Sequence, residues 1–493
     1  MDWFILIFLF VCIFTFLATS VKLLVHFEQP EDAHLKSHVL VKLVVIFGLT
    51  LAWMTMILLP IDVWNSRPTD RGLDMDTCWQ VAFVLIGLWI FLIIPCATFY
   101  YEADGATDNV KCYVFRHMLF VIIVVGLLLG IGFGLLGTAS IPIQSIHCGV
   151  WLDGDSAGGG QVCSEKQESS ISFQVSFQIF LTALLGFIGW FCFVLFGGVG
   201  FTALPMDLIL GFIDRPRPVS PVEYNMKKNA YGNRAQELMV VGNSLKEREK
   251  ELEGKKGFAI RRQKKKLTTE LNKFKQAVLV LEEDWETVKR AKENKGENAL
   301  LSISRLALGV ITAILTLLWT IHIVFGILIT INGVPLLGFL NVLLEAIEDS
   351  GVQVMATLVF AALNFHLLAC VVKGCFKFGM RVFCLFPIHP MRVGDTPLNS
   401  FLFNLVLILF GTCAVVMFSH EAFRDFSRLT AADVIFGAQT RHLDFFKVFY
   451  QNNVFLFTFL VWSVVTLIYL LCKPRDESAL LPNPSSGGVK AKG

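Results

Sequence analysis

Nine runs of eighteen or more mostly apolar residues are spaced along this 493-residue sequence. At 1.5 Å rise per residue, about 20 helical residues cross a hydrocarbon core. The runs fall near 3–25, 39–63, 79–101, 118–138, 171–204, 303–331, 352–372, 401–419 and 454–472, and the fifth and sixth are longer than a membrane requires. Those two are expected to tilt or to continue as helix beyond the lipid. The first begins at Trp3 with no basic stretch before it and no small-residue cleavage site, so it reads as a retained anchor. Only 17% of the residues are charged and 55% are hydrophobic, with 45 phenylalanines, whereas soluble domains are roughly 25% charged. A water-soluble globular fold is excluded, and the class expected is an all-α, polytopic membrane bundle of about nine transmembrane helices.

Charge is concentrated in one place. Between Asp214 and Asn298 lie 21 of the 42 Lys and Arg residues, with 14 acidic residues among them. The organisation expected is therefore helices one to five over 1–213, a charged insertion over 214–300, helices six to nine over 301–472, and a short tail over 473–493. Threading nine spans alternately puts the insertion, the loop 373–392 with four basic residues and the tail with four on one side. The positive-inside rule makes that side cytosolic and the N-terminus outer or lumenal. The acidic loop 332–353, with Glu345, Glu348, Asp349 and no basic residue, agrees. Arg424, Arg428, Arg441 and Lys447 dissent, because they fall on the outer side.

The insertion carries helical periodicity. Leu238, Val241, Leu245 and Leu252 form one stripe up to a glycine-bounded break at Gly254–Gly257, and Leu267, Leu271, Phe274, Val278, Leu281, Trp285 and Val288 then alternate spacings of four and three. That is a heptad seam, and the break favours an antiparallel coiled-coil hairpin. Residues 238–288 could hold a cytosolic protein partner, mediate self-association, or simply stiffen the connection. The basic cluster Arg261–Lys266 suits anionic lipid or is a solvated face. Nothing in the chain points to nucleic acid.

Chemistry-bearing templates are missing: there is no phosphate-binding glycine loop, no H-E-x-x-H and no nucleophile elbow. The sequence reads as a non-enzyme without cofactor or metal, since its twelve cysteines contain no C-x-x-C pair. On the threading above, Cys78, Cys148 and Cys163 face an oxidising compartment. Cys148 and Cys163 flank the loop 149–162 and are candidates for a disulfide; free thiols, or a bond from Cys78 to either, remain alternatives. Within the spans, His322, Asn364 and His366 are the candidate polar sites, expected to line a path if they converge or otherwise to hydrogen-bond between helices. Lys42 is expected to snorkel to the interface. Gly126, Gly130 and Gly134 share one face of the fourth span and are expected to admit a neighbouring helix closely. Gly197, Gly198 and Gly200, followed by Pro205, suggest another close approach and then a bend. Asp476, Leu480 and Leu481 in the tail fit an acidic-dileucine sorting signal, which would send the protein to an endosomal, lysosomal or vacuolar membrane.

Several boundary motifs occur together: Leu59-Pro60-Ile61-Asp62-Val63, Ile94-Pro95 with Phe99-Tyr100-Tyr101-Glu102, Phe196-Gly197-Gly198-Val199-Gly200, Ala203-Leu204-Pro205, Ile388-His389-Pro390-Met391 and Asn399-Ser400-Phe401-Leu402-Phe403-Asn404. With His26-Phe27-Glu28-Gln29-Pro30-Glu31-Asp32-Ala33, they resemble the LMBR1-like family, in particular its plant and green-algal LIMR branch. The resemblance implies nine spans, an outer N-terminus and a role in ligand uptake, vesicle traffic or escort of another transporter. It carries over no catalytic or binding residue. The reading is a receptor or escort of the plasma membrane or endomembranes for a lipophilic or carrier-bound ligand. A transporter or channel through the bundle and a membrane scaffold are the alternatives. Asp62 and Glu102 fall at opposite membrane faces and are expected to be structural.

Overall fold

The computed structural model describes residues 3–29, 32, 38–66, 73–103, 110–150, 161–213, 220–252, 299–331, 334–377, 381–382, 386–387, 391, 394 and 396–472, with scattered positions between 267 and 292. Among the described residues, nine helices are long and apolar enough to cross a membrane. They are α1 (Trp3–Phe27), α2 (Val39–Asn65), α3 (Met75–Glu102), α4 (Val110–Leu136), α5 (Phe177–Ile213), α7 (Leu300–Leu328), α9 (Gln353–Lys377), α10 (Leu398–Ala422) and α11 (Val454–Cys472). Outside these spans lie α6 (Pro221–Leu252), α8 (Phe339–Asp349) and a single turn over Lys447–Gln451. The chain divides into two compact units, 1–204 with 312–470, and 205–311 with 471–493.

In the first unit α10 lies at the centre, and residues 408–420 are buried without exception. Its Phe, Val, Leu and Met side chains are apolar all round, the pattern of a helix enclosed by others. Glycines allow the neighbours to come close. A Cβ at Gly189 of α5 would stand 2.1 Å from the Phe410 carbonyl oxygen of α10. Helices α5 and α9 cross reciprocally: a Cβ at Gly200 would meet the Cys370 carbonyl oxygen at 1.7 Å, and one at Gly374 the Phe196 carbonyl oxygen at 1.8 Å. The close approach expected at Gly200 is thus made. The one expected at Gly126, Gly130 and Gly134 is not made among the described residues, where nothing lies within 4 Å of a Cβ at any of them and α4 contains no buried residue. A row of small side chains permits close packing but does not supply the partner.

Three spanning helices widen locally to i→i+5 turns, over Trp89–Ile93, Phe193–Gly197 and His322–Leu328. The first precedes Pro95, whose missing N–H disrupts the ordinary ladder, and Ile94 N–H bonds the Trp89 carbonyl instead.

An antiparallel hairpin, β1 (Thr138–Val150) and β2 (Gln161–Gln174), stands where the sequence had suggested a loop and the beginning of the fifth span. The span therefore starts at Phe177, with the Ser176 hydroxyl accepting the Ile179 N–H. The register pairs Thr138 with Gln174, Ile141 with Ile171 and Cys148 with Cys163. At its base Ala139 bridges Leu443, both fully buried, and Asp444 N–H donates to the Thr138 carbonyl at 3.0 Å.

In the second unit, contacts between α6 and residues 267–292 run in antiparallel order. Tyr224 and Tyr231 pack on Trp285, Lys292 sits 3.8 Å over the Tyr224 ring, a Cβ at Gly242 would meet the Phe274 ring at 2.7 Å, and Arg248 pairs with Glu270 at 3.1 Å. Leu245, Leu267 and Val288 are buried, and Leu238, Leu271, Phe274, Leu281 and Trp285 are partly so. Val241 and Val278, assigned to the seam from spacing, face solvent at 46% and 36% exposure. The neighbouring Gly242 takes the facing position, where the Phe274 ring fills the space that a side chain would occupy.

Candidate functional site

The three polar residues singled out within the spans are all buried but do not form one constellation. The His322 Nε2 donates to the Ala422 carbonyl at 2.9 Å, its ring stacks on Phe423, and its Nδ1 has no partner. The widened turn of α7 folds this ring over Gly326, where a Cβ would lie 2.9 Å from Nδ1. His366 lies two residues beyond Asn364 on α9, and its Nε2 is 3.2 Å from Thr316 Oγ1 and 3.7 Å from Cys370 Sγ. The Thr316 hydroxyl also reaches the Phe201 carbonyl at 3.2 Å, so these groups join α7, α9 and α5. Neither amide atom of Asn364 has a hydrogen-bond partner among the described residues. Helix-to-helix bonding accounts for His322 and His366. Neither of the two apolar cavities described for this unit is lined by any of the three.

The boundary carboxylates are anchors. Asp62, 2% exposed, accepts from Trp79 Nε1 at 2.8 Å, from Ala431 N–H at 3.2 Å and from Ala432 N–H at 2.8 Å. It thereby fastens α2 and α3 to the start of the wide turn Asp433–Gln439. Glu102 instead accepts from Asn399 at 3.2 Å. Lys42 does not snorkel freely: it pairs with Glu28 at 2.7 Å and donates to the Asp32 carbonyl. The Asp32 carboxylate accepts from Gln29 at 2.9 Å and from Tyr101 and Leu398 N–H at 3.3 Å. Much of the motif beginning at His26 is therefore a polar clasp among α1, α2, α3 and α10.

A small cavity, open in part to the exterior, lies between α5, the end of α10, the segment 423–453 and the start of α11. Trp190, Phe418, Phe436, Phe449, Tyr450 and Phe455 supply its aromatic wall, with His420, Glu421, Arg441 and Asn453 as the polar groups. Phenylalanines organise this wall, Phe187 packing on Phe446 and Phe449 with ring centroids 4.8 and 5.1 Å apart. The ionic groups are paired locally. Glu421 binds Arg441, and His420 Nε2 lies 3.3 Å from Asp433. The His420 hydrogen bond and the nearby Arg424 charge hold the Asp433 carboxyl below its usual range. Burial pushes the Tyr450 phenol up. Trp190 Nε1 and Tyr450 Oη are buried without a hydrogen-bond partner. Sequence reasoning missed this cavity. Its one visible trace was the outer-side set Arg424, Arg428, Arg441 and Lys447, of which Arg441 meets Glu421 and Lys447 meets Asp444 at 2.6 Å.

The described residues contain no cluster of His, Cys, Asp and Glu able to hold a metal. Asp476, Leu480 and Leu481 lie outside the described residues, as does the break 254–257, and the side chains of Cys148 and Cys163 are likewise not described.

These features define a polytopic α-helical membrane protein, with nine apolar spans among the described residues. The sequence profile of the LMBR1-like membrane proteins matches residues 3–304. A LIMR family protein of Dictyostelium discoideum is 31% identical, the alignment covering 93% of this chain and 95% of that protein. A LIMR family protein of Oryza sativa subsp. japonica is 32% identical over 92% of each chain, and one of Arabidopsis thaliana 29% identical over 94% of each. The chain belongs to the LMBR1-like membrane protein family. No solved structure matches it.

Proposed function

We propose that the protein is a non-enzymatic membrane receptor or escort whose cytosolic arm, a coiled-coil hairpin over 238–288, holds a protein partner. The observation that supports this best is the apolar surface of the arm. Met239 and Val240 are 67% and 70% exposed and Leu279 is 55% exposed, in a segment otherwise rich in charge. The pairing of Tyr231 with Trp285 and of Gly242 with Phe274 brings these residues to about the same level of the arm. Grouped apolar residues on a water-facing surface mark interaction sites. The distribution of basic residues supports a cytosolic arm and tail, and the acidic-dileucine pattern of Asp476, Leu480 and Leu481 fits delivery to endosomal, lysosomal or vacuolar membranes.

Cross-linking mass spectrometry of the full-length protein in its own membrane, compared with a Met239→Glu/Val240→Glu variant, tests the reading. Wild type is expected to capture one recurring set of cytosolic proteins at the arm, and the variant to lose that set while keeping its membrane level. Absence of arm cross-links, together with solute flux through the purified protein in liposomes, would establish the transporter reading instead.

A further inference from the structure

Helix α6 lacks charge on the side that water should claim. With successive residues about 100° apart around the helix, Tyr224, Tyr231, Leu238 and Leu245, which line the seam toward 267–292, share one side. The five charged residues of 221–244, Glu223, Lys227, Lys228, Arg234 and Glu237, flank that seam. Four of them are paired with one another, Glu223 with Lys227 and Arg234 with Glu237. The half of the circumference turned away from the seam carries no charge over the same stretch. Met226, Asn229, Gly232, Asn233, Gln236 and Met239 lie on it, and all six are exposed. The outward face of an amphipathic helix ordinarily gathers the charged residues. Here it offers two methionines, 62% and 67% exposed, among amides and a glycine, which is the make-up of a second packing face.

The chemistry of this strip selects its partner. The insertion carries 21 basic against 14 acidic residues, so two copies repel where their charged sides meet, and like charges brought together across an interface are costly. The charge-free strip is the side of α6 on which a copy of the same helix can lie. Carboxamides both donate and accept hydrogen bonds, so Asn and Gln side chains satisfy their own kind. Among the described residues nothing lies within 4 Å of a Cβ at Gly232, and a residue without a Cβ lets a second backbone come near. Turning the strip on itself about a two-fold axis between Gly232 and Asn233 sets Met226 against the partner's Met239 and Asn229 against the partner's Gln236. Those are the reciprocal contacts of an isologous interface.

We propose that α6 pairs antiparallel with α6 of a second copy of this chain, across the charge-free strip centred on Gly232 and Asn233. The pairing rests on the reading of the arm as a protein-binding surface and names the protein that α6 accepts. Cytosolic partners then meet the arm as two hairpins, and a charge at Met239 disturbs both contacts.

Residues 214–298 contain no cysteine, so a disulfide placed in the arm can be mapped without background. Met226→Cys and Met239→Cys are made in separate, differently tagged full-length chains, which are co-purified in detergent, oxidised mildly and read by mass spectrometry of the linked peptides. A disulfide from position 226 of one copy to position 239 of the other is expected. Neither variant should link to itself, because like positions stand about 20 Å apart in the antiparallel register and a disulfide needs Cα atoms within about 7 Å. Adding Asn229→Glu/Gln236→Glu to both chains opposes like charges and should lower the linkage about tenfold or more. Asn229→Glu/Gln236→Lys opposes unlike charges and should keep it. All these positions are exposed, and the second charge variant controls for folding. No 226–239 linkage, self-linkage of Met226→Cys at an equal level, or indifference to the two-Glu variant would each overturn the pairing. Capture of cytosolic proteins without linkage between copies would overturn the pairing alone, and linkage between copies without such capture would sustain it while removing the receptor or escort reading.

Discussion

Asp62 shows how one buried charge is held at a membrane boundary. Its three donors come from an indole and from two backbone N–H groups 369 and 370 residues away, and hydrogen bonds to a carboxylate are stronger than neutral ones. The sequence displayed an acid closing an apolar run. It could not display the partners, because a backbone N–H carries no residue identity and its contribution depends only on where the chain returns. Asp433, outside the spans, gives a pH prediction. Its carboxyl is held low by the hydrogen bond from His420 and by Arg424. A lowered carboxyl contributes stability above the unfolded value near 4 and loses it as pH falls through the folded value. The thermal midpoint of detergent-purified wild type should fall steeply below about pH 4, with a shallower fall in Asp433→Asn. Equal slopes would mean that the pair does not contribute. Glycine positions separate equally sharply. Gly374→Ala places a methyl 1.8 Å from the Phe196 carbonyl oxygen, whereas Gly130→Ala meets nothing within 4 Å. The first is expected to cost more than about 3 kcal/mol, beyond ordinary overpacking because backbone must move. The second should be neutral or stabilising by up to about 1 kcal/mol. Melting curves of the two variants against wild type check the contrast, and a tolerated Gly374→Ala would remove the crossing of α5 and α9 from the account.

Elements were legible in proportion to how strongly one period dominated their side chains. The nine spans announce themselves through hydropathy alone. Strands β1 and β2 did not, since residues such as Gln144, Ser145, Glu168, Ser169 and Ser170 read as loop, and the apolar alternation is confined to the base around Ile141, Ile143, Ile171 and Phe173. On α6 the seam was read one residue off. A glycine adds nothing to an apolar stripe, so Val241 attracted the assignment that belongs to Gly242, where the Phe274 ring packs. The hairpin carries the next prediction. Its backbone register sets Cys148 opposite Cys163, and directly opposed antiparallel residues stand within the Cα separation that a disulfide spans. In unreduced membranes both thiols are expected to resist maleimide, and both should react after reduction and denaturation. Cys148→Ser should then expose Cys163 to the reagent without reduction. Reaction of both in unreduced, denatured wild type would show free thiols.

At the scale of the whole molecule, the positive-inside argument was opposed by Arg424, Arg428, Arg441 and Lys447. Arg441 is joined to Glu421 and Lys447 to Asp444, while Arg424 lies in the field of Asp433. The positive-inside rule counts basic residues rather than net charge, so the dissent is outweighed by number, four against the 21 of the insertion with the eight of the loop 373–392 and the tail. The hairpin β1–β2 is joined at its base to the same segment through Ala139 and Leu443, so the two must share one side of the membrane. Glycosylation acceptors inserted one at a time test the arrangement directly. An Asn-Gly-Thr insertion among residues 151–160 should be glycosylated in the lumen and shift on a gel, with the shift removed by glycosidase. The same insertion near residue 256, in the arm, or after residue 485, in the tail, should remain unmodified. Modification at 256 would reverse the orientation and place the proposed partner surface in the wrong compartment. Modification at both 256 and 151–160 would break the alternation of spans four and five, the step on which every later assignment of side depends.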